Sequence, residues 1–198
     1  MIFGYEKVLA GRRVVLASKS PRRQELLKLI FPEFEIIPAL GEEVVPEGVP
    51  AEDVSRLLAV QKCREVAENC PDALVIGCDT TVAVSGELLG KPADAADAVR
   101  MLRLLSDTRH EVISGVCIRL GEREVSFSEV TRVRFKPLTE ADIAGYIATG
   151  EPFDKAGAYG IQEKGGLLIS GIEGDFFNVV GLPVSAIADK LGEIMKND

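Results

Sequence analysis

The sequence predicts an α/β fold, because short apolar runs alternate with segments of helical periodicity along most of the chain. Val14–Ala17 and Ala73–Gly77 are apolar runs of strand length, whereas Ala51–Glu68 has the length and apolar spacing of a long helix. Strands that alternate with helices indicate a sheet covered by helices. The 198 residues fit a single domain that spans 1–198.

The other elements follow the same alternation. Helices are predicted over Pro21–Ile30, Ala93–Leu105, Thr139–Ala148 and from Pro183 to Met195. Thr139 and Asp142 form an approximate capping box at the start of the third of these helices. Strands are predicted over Phe34–Ile37, from Thr81 to about Ser85, and over His110–Leu120, Glu124–Phe135, Leu167–Ser170 and Phe176–Val180. The acidic segment Glu42–Pro50 and the glycine-rich segment Gly150–Gly166 are predicted loops.

Net charge, apolar runs and cysteine spacing disfavour nucleic acid, a membrane and zinc as partners of this chain. A net charge of -8 disfavours nucleic acid as a partner, since that binding requires many phosphates to be neutralised. No run of about 18 apolar residues is present, so no membrane span is predicted. The four cysteines form no CxxC pair, which argues against a zinc site and favours reduced thiols in a cytoplasmic protein.

The turn after the first strand has an unusual charge pattern. Ser20 and Pro21 are typical of a helix N-cap and first helical residue. Arg22 and Arg23 then place two cations where the helix dipole disfavours them. A bound polyphosphate removes that conflict, whereas a solvated basic cap is the alternative. The turn therefore predicts an anion site without naming the anion.

Three further residues suggest phosphate chemistry. Asp79 follows the most apolar strand, where α/β proteins place ligands, although an Asx-turn is the alternative. Lys62 shares a helix face with apolar residues, so it either extends to water or points at an anion. Glu43 is in the acidic loop and is either solvated or, with Asp79, a ligand of Mg²⁺ or Mn²⁺.

At these positions the sequence resembles the Maf family of nucleoside triphosphate pyrophosphatases. The resemblance runs from about Arg13 to the C-terminal helix. The motifs that carry it are Ser18-Lys19-Ser20-Pro21-Arg22-Arg23, Glu43, Lys62, Gly77-Cys78-Asp79-Thr80, Gly90-Lys91-Pro92, Tyr159-Gly160-Ile161-Gln162 and Asn178-Val179-Val180-Gly181-Leu182-Pro183. It implies a two-lobed α/β fold with an elongated mixed sheet, flanking helices and a central cleft, as in inosine triphosphatases.

The resemblance also implies roles for single residues. Asp79 would accept a proton or bind metal, and Glu43 would help to bind a divalent cation. Lys62 and Lys91 would stabilise phosphate charge. The phosphate tail would be held by Ser18, Ser20, Arg22 and Arg23. Arg22, Thr80 and Gln162 match the branch of the family that prefers dTTP and UTP; a glutamine can donate to and accept from the imide edge of either base.

The expected activity is metal-dependent hydrolysis of dTTP and UTP to the monophosphate and pyrophosphate, with a homodimer as a further possibility. The alternative is a nucleotide-binding regulator of septum formation that binds without turnover. A serine hydrolase is disfavoured, because the sequence has no GxSxG motif and has a single histidine, His110, in a predicted strand.

Overall fold

The structure is a computed structural model that describes residues 11–195. Its strands are β1 (Val14–Leu16), β2 (Glu35–Ile36), β3 (Leu74–Val84), β4 (Glu87–Leu89), β5 (Arg109–Leu120), β6 (Arg123–Phe135) and β7 (Ile169–Glu173). Its α-helices are α1 (Pro21–Leu27), α2 (Ala51–Glu68), α3 (Ala95–Leu105), α4 (Glu140–Ile147), α5 (Phe176–Val180) and α6 (Val184–Met195).

The strands form a mixed sheet. Hydrogen bonds give the strand order β2-β1-β3-β5-β6-β7, with β4 paired to β3 outside this path. Strand β1 runs parallel to both β2 and β3, whereas β4 is antiparallel to β3 and β7 is antiparallel to β6. Parallel neighbours need a crossover, and α1 and α2 supply the crossovers that follow β1 and β2. The predicted mixed α/β sheet with flanking helices is therefore confirmed.

The chain divides into two compact units, and the prediction of one domain over 1–198 stays a prediction. The first unit comprises 11–79, Ser114–Glu129 and 181–195, and the second comprises Thr80–Ile113 and Val130–Val180. Strands β3, β5 and β6 each contribute residues to both units.

In the first unit, helix α2 lies close against two strands. A Cβ at Gly77 of β3 would lie 2.5 Å from the carbonyl oxygen of Ala59 and 2.8 Å from Cβ of Cys63. A Cβ at Gly115 of β5 would overlap the backbone of Ser55 and Arg56. Glycine at these two strand positions therefore allows the helix backbone to approach the sheet directly.

The core of the second unit lies between β3, β5, β6 and the helices α3 and α4. Its fully buried side chains include Leu102, Leu105 and Phe135. Helix α4 begins with the predicted capping box, in which Thr139 and Asp142 each accept a hydrogen bond from the other's backbone. The local start of this helix is therefore encoded in four residues.

Two predictions about strands are wrong. Strand β3 does not end before Asp79 but continues to Val84, because pairing with β4 through the left-handed turn at Ser85 and Gly86 extends it. Phe176–Val180 is a helix: the Asp175 carboxylate accepts a hydrogen bond from the Phe177 backbone N–H at 2.8 Å and starts the helical turn.

Smaller differences occur beside the glycine-rich segment. Gly150–Gly166 contains 3₁₀ turns at Glu151–Asp154 and Ala156–Ala158, and a third covers Lys164–Leu168. The strand predicted over Leu167–Ser170 begins at Ile169 and extends to Glu173.

The side chains of all four cysteines, Cys63, Cys70, Cys78 and Cys117, are buried free thiols, as predicted. Among the described residues, no helix combines the length and the apolar character that crossing a membrane requires.

We predict that Gly115→Ala destabilises the fold by about 1–3 kcal/mol or more, because the new methyl group meets helix backbone rather than a movable side chain. Chemical denaturation measures the free energy of unfolding. Gly192→Ala in α6 is the matched control: its Cβ would meet nothing within 4 Å, so the helix should be unchanged or gain roughly 0.5–1 kcal/mol. Equal stability of Gly115→Ala and the wild type would contradict the packing argument.

Candidate active site

The turn between β1 and α1 carries the serines and arginines predicted to hold a phosphate tail. The Ser20 hydroxyl caps α1 by accepting a hydrogen bond from the Arg23 backbone N–H at 3.5 Å, and Pro21 is the first helical residue. The buried Ser18 hydroxyl accepts from the Ser20 N–H at 3.3 Å. The first turn of α1, which lies wholly within the described residues, holds no acidic side chain. The turn therefore presents hydroxyls and cations, as a phosphate site requires.

Arg23 is anchored to backbone from two other segments. Its Nε donates to the carbonyl oxygen of Gly181 at 2.9 Å, and its Nη1 donates to the carbonyl oxygen of Cys78 at 2.7 Å. Nη1 also lies 3.2 Å from the Ser18 hydroxyl oxygen, which accepts. Because Cys78 directly precedes Asp79 in the chain, these bonds fix the turn relative to the strand that carries Asp79.

Lys62 joins the two carboxylates that the sequence selected. Its Nζ donates to Oδ1 of Asp79 at 2.6 Å and lies 2.8 Å from Oε1 of Glu43. The side chains of Lys62 and Asp79 are only 17% and 14% exposed, whereas that of Glu43 is 55% exposed. The ammonium therefore points neither freely to water nor into an apolar environment. It neutralises a largely buried carboxylate.

The electrostatics of this cluster favour a charged lysine. Burial by itself lowers the pKa of Lys62, but the charge and hydrogen bond of Asp79, followed by those of Glu43, outweigh it and raise the pKa above its ordinary value of 10.5. At neutral pH the ammonium is therefore protonated. Since the folded-state pKa is raised, the cluster stabilises the fold below about pH 10.5, and this contribution is lost as the pH rises through the folded-state pKa.

Two carboxylates of this cluster could supply part of the oxygen ligands of a hard divalent cation such as Mg²⁺. Glu43 and Asp79 supply two carboxylates that converge on one ammonium group, Nζ of Lys62. Within residues 11–195, no three His, Cys, Asp or Glu side chains are close enough to hold a metal ion together. Mg²⁺ typically takes one or two carboxylates and completes its shell with substrate phosphates and water. Two carboxylates therefore fit a metal that arrives with a phosphorylated substrate.

The remaining predicted site residues belong to the second unit. Thr80 is half-buried on β3, whereas Lys91 and Gln162 are exposed in loops. The Gly157 N–H donates to the carbonyl oxygen of Gly90 at 3.0 Å, so the loop that leads to Gln162 is tied to the turn that carries Lys91. This hydrogen bond restrains two predicted substrate contacts within one unit.

The glycine-rich loop before Gln162 is held from inside the second unit. The Tyr159 hydroxyl lies 2.7 Å from Nε2 of His110, and both rings pack edge-on against Phe135. Burial lowers the pKa of His110 to about 4, so this histidine is neutral at pH 7. Its bonded, buried position gives this histidine a structural role.

Among the described residues, the structure brings together two groups in the first unit: Ser18 and Ser20 with Arg23, and Glu43 and Lys62 with Asp79. Sequence reasoning missed that backbone carbonyls hold Arg23. The motif around Gly181 was singled out by the resemblance, but no local pattern could assign it a partner 158 positions away in sequence.

We predict that Asp79→Asn lowers the pKa of Lys62, because the largest opposing attraction is removed while the burial remains. The ¹³Cε chemical shift of Lys62, followed against pH, measures this. Glu43→Gln is the matched control and should lower the same pKa less, since Glu43 is more exposed and its attraction is smaller. A larger effect from Glu43→Gln would contradict the geometry.

Comparison with known proteins connects this geometry to a family. The model of the Maf-like protein family matches residues 13–194. A dTTP/UTP pyrophosphatase of Bacillus velezensis is 49% identical over 182 residues, which cover 92% of this chain and 96% of that protein. A dTTP/UTP pyrophosphatase of Carboxydothermus hydrogenoformans is 51% identical over 183 residues, which cover 91% of this chain and 98% of that protein.

A solved structure supports the fold alone. The structure of a HAM1 protein from Coxiella burnetii superposes with a TM-score of 0.51 over 92% of this chain and 99% of that chain, at 12% identity.

The match to the Maf-like family model covers nearly every described residue and includes both groups of site residues. The chain therefore belongs to the Maf family.

Proposed function

We propose that this chain hydrolyses dTTP and UTP to the nucleoside monophosphate and pyrophosphate. The relatives with about half of their residues identical are named for that activity. The observation that carries the proposal is the hydrogen bond from Arg23 to the carbonyl of Cys78, directly before the Asp79 that pairs with Lys62. These bonds fix the Arg23 guanidinium, which is proposed to bind phosphate, relative to the strand that carries the Asp79 carboxylate within one unit.

The proposed reaction balances as a hydrolysis. The oxygen of water forms a bond to one phosphorus of the α–β bridge, the bond between that phosphorus and the bridging oxygen breaks, and the nucleoside monophosphate and pyrophosphate separate. The Asp79 carboxylate accepts the proton of the attacking water. A divalent cation, Mg²⁺ or Mn²⁺, held by Glu43 and Asp79 would neutralise the phosphate charge that builds up.

The cations of the site have separate tasks in this proposal. Arg22 and Arg23 grip the phosphate tail together with the hydroxyls of Ser18 and Ser20, and Arg23 does so from a guanidinium already anchored to Gly181. Such an anchored group loses little freedom when the substrate binds.

The two lysines would act on phosphate charge. Lys62, protonated at neutral pH, stabilises charge next to Asp79, and Lys91 adds a second cation from its loop.

We propose that Gln162 and Thr80 recognise the base. Gln162 presents one donor and one acceptor, which match the imide edge of uracil or thymine, and the Thr80 hydroxyl adds a further polar contact. We further propose that the enzyme removes triphosphates from the cytoplasmic nucleotide pool and that it works as a homodimer.

We predict that Asp79→Asn lowers kcat for pyrophosphate release from dTTP by about a hundredfold or more, because the amide cannot accept the proton. Asp72→Asn is the matched control, since Asp72 is exposed and directly precedes the same buried segment of the first unit. Near-normal turnover by Asp79→Asn would show that Asp79 does not accept the proton.

Chelation of the divalent cation should stop the wild-type reaction. Binding of dTTP without any product would instead support the regulator that binds without turnover.

We predict that Gln162→Ala lowers kcat/KM for dTTP relative to dCTP by about tenfold, because the imide edge loses its hydrogen-bonding partner while the phosphate contacts remain. Steady-state kinetics on both nucleotides measure the ratio. Glu163→Gln, at the neighbouring exposed position, should leave it unchanged. An equal loss on every nucleotide would contradict a role in choosing the base.

A further inference from the structure

A basic cavity lies on the second unit, among residues that the proposed reaction does not use. It has a volume of about 410 Å³ and lies over the end of β6, the start of β5 and strand β7. Arg109, Arg132, Arg134 and Lys136 line it, together with the acidic Asp107 and Glu173. Basic side chains therefore outnumber acidic ones two to one in a chain whose net charge is -8.

The pleat of β6 places these cations on one face. Thr131, Val133 and Phe135 are buried, whereas Arg132 and Arg134 alternate with them and are exposed. Side chains that alternate along a strand point to opposite faces, so both arginines share the outer face of the strand. The arrangement leaves the guanidinium groups accessible.

The neighbouring strand β7 places an opposite charge across from Arg132 but not across from Arg134. Glu173 of β7 is directly opposite Arg132, but Gly171 is directly opposite Arg134. Opposite charges that face each other on neighbouring strands stabilise a sheet, and no charged residue faces Arg134 on β7. A Cβ on Gly171 would meet nothing within 4 Å, so the glycine leaves open space beside this guanidinium.

The ion pairs between side chains that line the cavity are long: Arg132 lies 4.0 Å and Arg109 lies 3.6 Å from Glu173. Arg132 also donates a hydrogen bond at 3.2 Å to Glu111, which is not among the lining residues. Among the residues that the structure describes, the Arg134 side chain makes neither an ion pair nor a hydrogen bond.

Three arginines elsewhere on the surface are paired more closely. Arg13 and Arg64 make two-pronged bonds to single carboxylates at 2.7–2.9 Å, and Arg103 does so with Glu140 at 2.6 and 2.8 Å. The arginines that line the cavity are therefore paired less closely than these three.

We propose that this cavity is a second anion site, which binds a small phosphorylated molecule through Arg134 and its neighbours. Guanidinium groups match phosphate oxygens with two parallel hydrogen bonds, and the volume lies in the range of pockets for small ligands. Lys136, whose Nζ donates to the carbonyl oxygen of Leu167 at 2.8 Å, is held at the edge of the cavity to supply a further charge.

The size and charge favour a small ligand over nucleic acid. Binding of a nucleic acid requires many phosphate contacts along an extended basic surface, and the net charge of this chain opposes it. One cavity with four cations instead suits a single phosphate or pyrophosphate group. The proposal does not depend on the hydrolytic function, because none of its residues belongs to the candidate active site.

The test is a titration of the ¹⁵N-labelled chain with inorganic pyrophosphate, inorganic phosphate and a nucleoside monophosphate, at constant ionic strength. The amide signals of Gly171 and Ile172 report on the cavity itself. We expect saturable shifts of these signals with at least one of the three probes. The probe with the highest affinity identifies whether a nucleoside is part of the ligand.

Two variants distinguish this site from the active site. Arg134→Ala should weaken binding, followed at Gly171 and Ile172, by about tenfold or more through the loss of a charged hydrogen bond. Gly171→Val leaves every charge in place but fills the open space and should also weaken binding. Arg103→Ala, an exposed arginine on α3 already paired with Glu140, is the matched control and should bind as the wild type does.

The spectra of both variants also show whether they fold, because a folded chain keeps its signal dispersion. Shifts that persist unchanged in both folded variants, or that do not saturate with any probe, would overturn the proposal. Saturation by a single-stranded oligonucleotide, with no response to the small phosphates, would also overturn it and point to nucleic acid.

Discussion

The candidate site depends on how closely helix α2 approaches the sheet. Gly77 and Gly115 have no side chains, so the backbone around Ala59 and Ser55 can lie directly on β3 and β5. Lys62 extends from the same helix and reaches Asp79 at 2.6 Å. A larger residue at either glycine would move the helix outwards and separate the ammonium from a carboxylate that is largely buried. A buried carboxylate without its partner is costly, so packing and electrostatics support each other here.

A second constraint acts through Arg23. Its bonds to the carbonyls of Cys78 and Gly181 satisfy backbone oxygens from two segments and fix the orientation of its own guanidinium. The turn between β1 and α1 is therefore held in place without a ligand, which is the condition under which fixed charges aid catalysis most. The charge of Lys62 is likewise set by Asp79.

Sequence patterns predicted elements whose signals are local. The cap at Ser20 and the capping box at Thr139 were predicted correctly, because each depends on residues within one helical turn. The end of β3 was predicted wrongly, since the pairing with β4 that continues it past Asp79 is a hydrogen-bonding choice between segments. Phe176–Val180 has the composition of a strand, but a cap from Asp175 overrides that preference.

The sequence by itself determined the α/β class and the helix start at Ser20, and it predicted an anion site at Arg22 and Arg23 and roles for Asp79 and Lys62. Tertiary structure alone decided that Lys62 lies between two carboxylates and that Arg23 binds the carbonyl of Gly181. The physical reason is that periodicity and capping act over a few residues. Hydrogen bonds between segments far apart in sequence arise only when the packed backbone brings their donors and acceptors within about 3 Å.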